Sequence, residues 1–156
     1  QALGLNQKQL DDLHRGGLLH DLGKIGIPPE ILDKAGKLTD EEYQLMREHV
    51  RIGARILEPI EAYAGIIPVV LHHHEYYDGS GYPDNLSGED IDLGARIFTV
   101  ADHYDALISD RPYREGLPQA TVIGFIKEDS GTKFDPKVVE AFLEVMAQEE
   151  KETVSN

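Results

Sequence analysis

At 156 residues and 17.4 kDa, the chain has the size of one domain with a single sizeable core. Its 40% hydrophobic and 28% charged residues exclude a disordered or fibrous chain, and with no cysteine it has no disulfide, thiolate metal site or cysteine nucleophile. Fifteen Lys and Arg against 29 Asp and Glu leave a net charge of −14, which opposes duplex nucleic acid and anionic membrane but not a small anionic ligand in a cleft whose local charge is reversed by cations. The longest purely apolar stretch, Ile66 to Leu71, falls far short of the roughly 20 residues of a membrane span, and the absence of cysteine suits a cytoplasmic setting.

Apolar positions recur at helical spacing almost throughout, so the expected class is all-α. Asn6 is placed to cap a first helix with Leu10, Leu13, Gly17 and Leu18 on one side, and Gly23 to end it. Thr39 followed by Glu42 reads as a capping box opening a helix that runs to Pro59, with His49 in its middle. A third helix is expected from Pro68 through three consecutive histidines to about Tyr77, where two glycines and a proline within Asp78 to Pro83 break it into a structured loop. From Asp92 a fourth helix carries Leu93, Ile97, Val100, Tyr104 and Leu107, with Asp102 and Asp105 one turn apart. Two more helices follow, one from Pro118 to near Ser130 and one opening at Asp135-Pro136, and the acidic tail 149–156 is expected to fray.

His20 and Asp21 leave adjacent positions of a helix end, so one imidazole and one carboxylate can reach a shared ion. Alone the pair means little. Together with His49, His73, His74 and Asp102, each within an otherwise apolar pattern on another helix, it makes a set of polar groups costly to bury without partners. Imidazole and carboxylate are the nitrogen and oxygen ligands of Fe, Mn, Ni, Co and Zn sites, and a pair of such ions can clamp a phosphodiester. The alternative is that His49 and the triple histidine are core or surface residues with ordinary partners, the reading given to His14 and His103. Three consecutive helical histidines spread too widely around the axis to face one centre, so one of them should point away.

The segments Leu19-His-Asp-Leu-Gly-Lys-Ile-Gly-Ile-Pro28, His73-His-Glu-Tyr-Tyr-Asp-Gly-Ser-Gly-Tyr-Pro83, Val100-Ala-Asp-His-Tyr-Asp-Ala-Leu107 and Asp110-Arg-Pro-Tyr-Arg114 resemble the signature of the HD-GYP family, bacterial cyclic di-GMP phosphodiesterases within the HD hydrolase superfamily. The resemblance runs from about Ala2 to Met146. It implies a compact bundle of five to seven helices, an HD-GYP domain over 1–148, and metal ligands at His20, Asp21, His49, His73, His74 and Asp102, with Asp21 bridging. Two or three divalent transition ions, iron or manganese, are implied with them. Asp21 and Lys24 then carry the chemistry, Lys24 beside the scissile phosphate, while Lys24, Tyr82, Arg111 and Arg114 bind substrate and Asp105 is a structural partner. The family carries a further ligand histidine upstream, which this chain begins too late to include. An N-terminal regulatory or sensory domain, as in response regulators, is therefore expected in a longer protein, with a homodimer as a further possibility.

The first reading is thus hydrolysis of cyclic di-GMP to pGpG, GMP or both. A catalytically weak cyclic dinucleotide-binding or signalling module is the alternative from another class, and a hydrolase of a different cyclic dinucleotide is the third.

Overall fold

The computed structural model describes residues 3–110 and 115–154. Among these lie eight α-helices: α1 (Gln7–Leu19), α2 (Pro29–Leu32), α3 (Asp40–Arg47), α4 (His49–Leu57), α5 (Ile67–His72), α6 (Leu93–Ile108), α7 (Gln119–Glu128) and α8 (Pro136–Val154). Short 3₁₀ turns cover Leu22–Gly26, Glu61–Tyr63 and Gly88–Asp90, and no strand occurs among the described residues.

Local sequence sets the helix starts. Asn6 Oδ1 accepts the Gln9 amide at 3.0 Å while Gln9 Oε1 accepts that of Asn6, and Thr39 and Glu42 close the same reciprocal box on α3. Asp92 caps α6 through the Gly94 amide at 2.8 Å, and Asp135 caps α8 through the Lys137 amide at 2.8 Å.

Four boundaries differ from the sequence reading. First, α1 ends at Leu19, before Gly23, because the chain tightens into the 3₁₀ turn that carries Lys24. Gly23 serves packing instead: a β-carbon there would collide with the His49 carbonyl and the Gly53 amide of α4. Second, the helix expected from Thr39 to Pro59 is broken at Glu48, so His49 opens α4 rather than lying mid-helix. The Glu48 amide takes the Leu45 carbonyl, and the Met46 carbonyl faces the His49 ring. Third, α5 stops at His72, because the His73 carbonyl accepts Thr99 Oγ1 at 2.9 Å and the His74 carbonyl accepts the Tyr82 amide at 3.0 Å. Fourth, α8 reaches Val154, past the point where the acidic tail is expected to fray.

Two apolar clusters hold the bundle. Leu57, Ile66 and Val70, with Leu19, Leu22 and Tyr63 against them, unite α1, α4 and α5, the helices that carry or adjoin His20, His49 and His73. Val100, Val122, Ile126, Phe134, Val138 and Val139 join α6, α7 and α8. Each such side chain contributes about 1.5–3 kcal/mol by leaving water. Gly16 and Gly17 let α1 lie against Val69 of α5 and Phe98 of α6, where any side chain would strike them. A buried ion pair, Arg96 to Asp135 at 2.6 Å, ties α6 to the start of α8.

Candidate metal centre

Three imidazoles are oriented by backbone carbonyls three residues earlier. Nδ1 of His20 lies 2.7 Å from the Gly17 carbonyl, that of His49 2.7 Å from Met46 and that of His73 3.0 Å from Val70. A ring nitrogen facing a carbonyl carries the proton, so the Nε2 lone pairs of His49 and His73 are left free for a metal, while that of His20 faces Asp21. His49 and His73 are 2% and 1% exposed, and neither Nε2 has a hydrogen-bond partner. An orphaned buried acceptor costs about 1–3 kcal/mol, which a bound cation would offset.

The donor atoms converge. His49, His73 and His74 each bring one within 4.8 Å of the others, and His20, Asp21 and His73 form a second such group, so His73 belongs to both. Asp21 stands between histidines of the two groups, 3.3 Å from His20 Nε2 and 3.6 Å from His49 Nε2. Asp102 on α6 places its carboxylate 3.8 Å from His20 Nε2, beside the second group. Phe98 packs its ring 4.9 Å from that of His20 and forms an apolar wall.

The protonation states suit ligation. Burial, reinforced by His20 and His49, lowers the His73 pKa to about 3. His74 is lowered to about 2, by burial and then by His73, His49 and His103. His49 also moves down, chiefly through burial. For His20, burial pulls downward but is outweighed by the hydrogen bonds to Asp21 and Gly17 and by the charges of Asp21 and Asp102, so the net direction is up. Burial would raise the Asp21 carboxyl, yet the His20 and Lys24 contacts hold it well below the usual carboxylate range. The neutral imidazoles of His49, His73 and His74 beside an ionised carboxylate are the states that bind a divalent cation.

Lys24 Nζ sits 2.6 Å from Asp21 Oδ2, at the lip of the centre. Tyr82 stacks on His74, ring centroids 4.8 Å apart and planes at 24°, and burial raises its phenol pKa. Its loop is built to fit: a β-carbon at Gly81 would strike the backbone of His74, Glu75 and Tyr76. Glu75, 1% exposed, accepts the amides of Asp84 at 2.6 Å and Leu86 at 3.1 Å, pinning the far side of the loop. Arg111 and Arg114 lie outside the described residues.

His72 is the histidine that points away, its Nε2 3.1 Å from Asp84, which also pairs with Arg51 at 2.7 Å. His103 faces the Thr99 carbonyl and packs against Phe134, His14 is exposed on α1, and Asp105 accepts the Ser109 hydroxyl at 3.1 Å. Sequence reasoning did not single out Glu75, Thr99, Phe98 or Arg47. Glu75 stood within the quoted motif, but its burial and backbone partners arise only when the loop folds over it.

Against known proteins, the model of the HD domain family matches residues 1–138. The "Cyclic di-GMP phosphodiesterase response regulator RpfG" of Xanthomonas campestris is 43% identical over 154 residues, 97% of this chain and 40% of that protein. The "Cyclic di-GMP phosphodiesterase PA4108" of Pseudomonas aeruginosa is 48% identical over 131 residues, 83% of this chain and 31% of that protein. The chain therefore spans well under half the length of these curated relatives. Relatives named 3'3'-cGAMP-specific phosphodiesterases also match, at 37% to 38% identity. Among solved structures, Bd1817, an HDG"Y"P protein of Bdellovibrio bacteriovorus, superposes with a TM-score of 0.71 at 25% identity, covering 93% of this chain and 46% of that one. With the helical fold, the His20-Asp21 pair and the Gly81-Tyr82-Pro83 loop in place, the chain belongs to the HD domain family, in its HD-GYP branch.

Proposed function

We propose that this domain is a metal-dependent phosphodiesterase that hydrolyses cyclic di-GMP to pGpG, GMP or both. The observation that carries the reading is the convergence of unpartnered, buried Nε2 atoms of His49 and His73 on the ionised Asp21 carboxylate. These residues fit hard or borderline divalent ions with nitrogen and oxygen ligands, iron or manganese among them. His49, His73 and His74 would hold one ion and His20, Asp21 and Asp102 another, with Asp21 shared and His73 within reach of both. Divalent ions there supply Lewis acidity toward a phosphodiester and lower the pKa of bound water.

The chain's own residues do the rest. Lys24, fixed by Asp21 at the lip, presents an ammonium to the negative charge that develops on the phosphate. Tyr82 forms a flat wall over His74 against which a base or ribose can lie, and Arg111 and Arg114 are assigned to the substrate's phosphates and guanines. Phe98 excludes water on the α6 side.

The test is elemental analysis of anaerobically purified protein together with chromatography of products from cyclic di-GMP. Bound iron or manganese with pGpG or GMP formation is expected. Metal-free protein that leaves cyclic di-GMP intact after iron or manganese is supplied overturns the reading. A second reading, another cyclic dinucleotide as substrate, is favoured by the cGAMP-specific relatives. A side-by-side panel of kcat/KM values for cyclic di-GMP and 3'3'-cGAMP decides between them.

A further inference from the structure

Arg47 closes α3 two residues before His49, and its guanidinium carbon lies 4.4 Å from the centroid of the Tyr82 ring, with Tyr43 at 6.0 Å. Tyr82 is itself stacked on His74, so the arginine is attached, through one aromatic ring, to the histidine group of the metal centre. The other described cations nearby are already engaged: Lys24 with Asp21 at 2.6 Å, and Arg51 with Asp84 at 2.7 Å. No carboxylate among the described residues pairs with Arg47, in a chain of net charge −14.

A cation–π contact with a ring does not use up the N–H donors of a guanidinium. The group carries five such donors in a planar fork matched to two oxygens of a phosphate. An arginine without a carboxylate partner, its guanidinium carbon seated over the aromatic wall of an otherwise acidic molecule, thus has N–H donors to offer an anion entering the cleft. We propose that Arg47 is a substrate-binding residue that grips a phosphate of the cyclic dinucleotide by two charge-assisted hydrogen bonds, using Tyr82 as its support. The inference rests on the phosphodiesterase reading and adds to it a specific phosphate contact on α3.

Arg47→Ala and Arg47→Lys are compared with the parent in the metal-loaded protein, by steady-state kinetics on cyclic di-GMP and by calorimetric binding of inorganic phosphate and of guanosine at several ionic strengths. Loss of two charge-assisted hydrogen bonds should raise KM about 100-fold or more, with a much smaller change in kcat, and weaken phosphate while sparing guanosine. The salt dependence of phosphate binding should flatten in Arg47→Ala and return in Arg47→Lys, which keeps the charge but loses the fork. A merely structural role for Arg47 would not move that salt dependence. Unchanged KM and phosphate affinity in Arg47→Ala overturn the inference while leaving the phosphodiesterase reading intact. Weakened guanosine with unaltered phosphate overturns it too. If the parent does not cleave cyclic dinucleotides but loses phosphate affinity on Arg47→Ala, the substrate reading fails and the phosphate contact stands. A parent that binds neither overturns both.

Discussion

His49 and His73 each bury an Nε2 atom with no protein partner, and a folded chain tolerates two such groups side by side only if something else satisfies them. Asp21 is the residue nearest to doing so, and it also holds Lys24 and faces His20. Asp21→Ala is therefore expected to lose metal uptake and at least about 100-fold in turnover together, as measured by elemental analysis and cyclic di-GMP hydrolysis. Full metal occupancy in that variant would remove Asp21 from the centre. The same histidines set an acid limit on the metal-free protein. In the unfolded chain His73 and His74 titrate near 6.5, but when folded only at about 3 and about 2, so below 6.5 the unfolded state binds more protons. Stability is then lost as pH drops below 6.5, by at most about 1.4 kcal/mol per unit for each histidine, and neither contributes to the slope above 6.5. His20, whose pKa is raised, works in the opposite sense and offsets part of the loss. Chelator-treated protein should unfold at lower urea at about pH 5 than at about pH 7.5. An equal or higher midpoint in acid contradicts this.

At the scale of elements, the centre depends on two close backbone approaches. The 3₁₀ turn carrying Gly23 lies directly on α4 at His49 and Gly53, and the loop at Gly81 lies directly on the turn after α5. Gly23→Ala puts a methyl group into the His49 carbonyl, where no rotamer can relieve it. A loss of roughly 1–3 kcal/mol or more is expected, with weakened metal uptake, because His49 must move. Thermal melting and metal titration on one sample check both, and a variant as stable and as metal-rich as the parent removes the packing role given to Gly23. The loop has a second fastening in Glu75. Glu75→Ala leaves the Asp84 and Leu86 amides without their acceptor. It should cost about 1–3 kcal/mol and speed hydrogen exchange at those two amides in particular.

Across the whole molecule, the helices around the histidine ligands and the α6–α8 unit are separate apolar clusters, and Thr99 of α6 reaches out from the second. Thr99 fixes the carbonyl of His73, so the position of a ligand depends on a helix from the other half of the chain. Arg96 and Asp135 hold that helix to α8 as a buried pair. Asp135→Asn leaves a buried guanidinium uncompensated and should destabilise the protein by about 3–5 kcal/mol, read as a shifted urea midpoint at unchanged slope. A shift below about 1 kcal/mol would show the pair to be dispensable.

The chemistry was legible in the chain because it depends on residue types at fixed spacing. A periodic apolar pattern with Asn6, Thr39, Asp92 and Asp135 as caps is local information, enough for an all-α class and most helix starts. The ordered motifs carrying His20, Asp21, His49, His73, His74 and Asp102 pointed to a family and a ligand set. What only the tertiary structure decided is how those groups share their neighbours. The stop of α5 at His72 and the turn of His72 toward Asp84 follow from contacts with residues distant in sequence, while the break at Glu48 that makes His49 the first residue of α4 is made by carbonyls of the preceding turn. The burial of Glu75 and the placement of Arg47 over the Tyr82 ring belong to the class that packing decides. Helical propensity extends a helix until another group takes its carbonyls or its space, and which group does so is a property of packing, not of the local sequence.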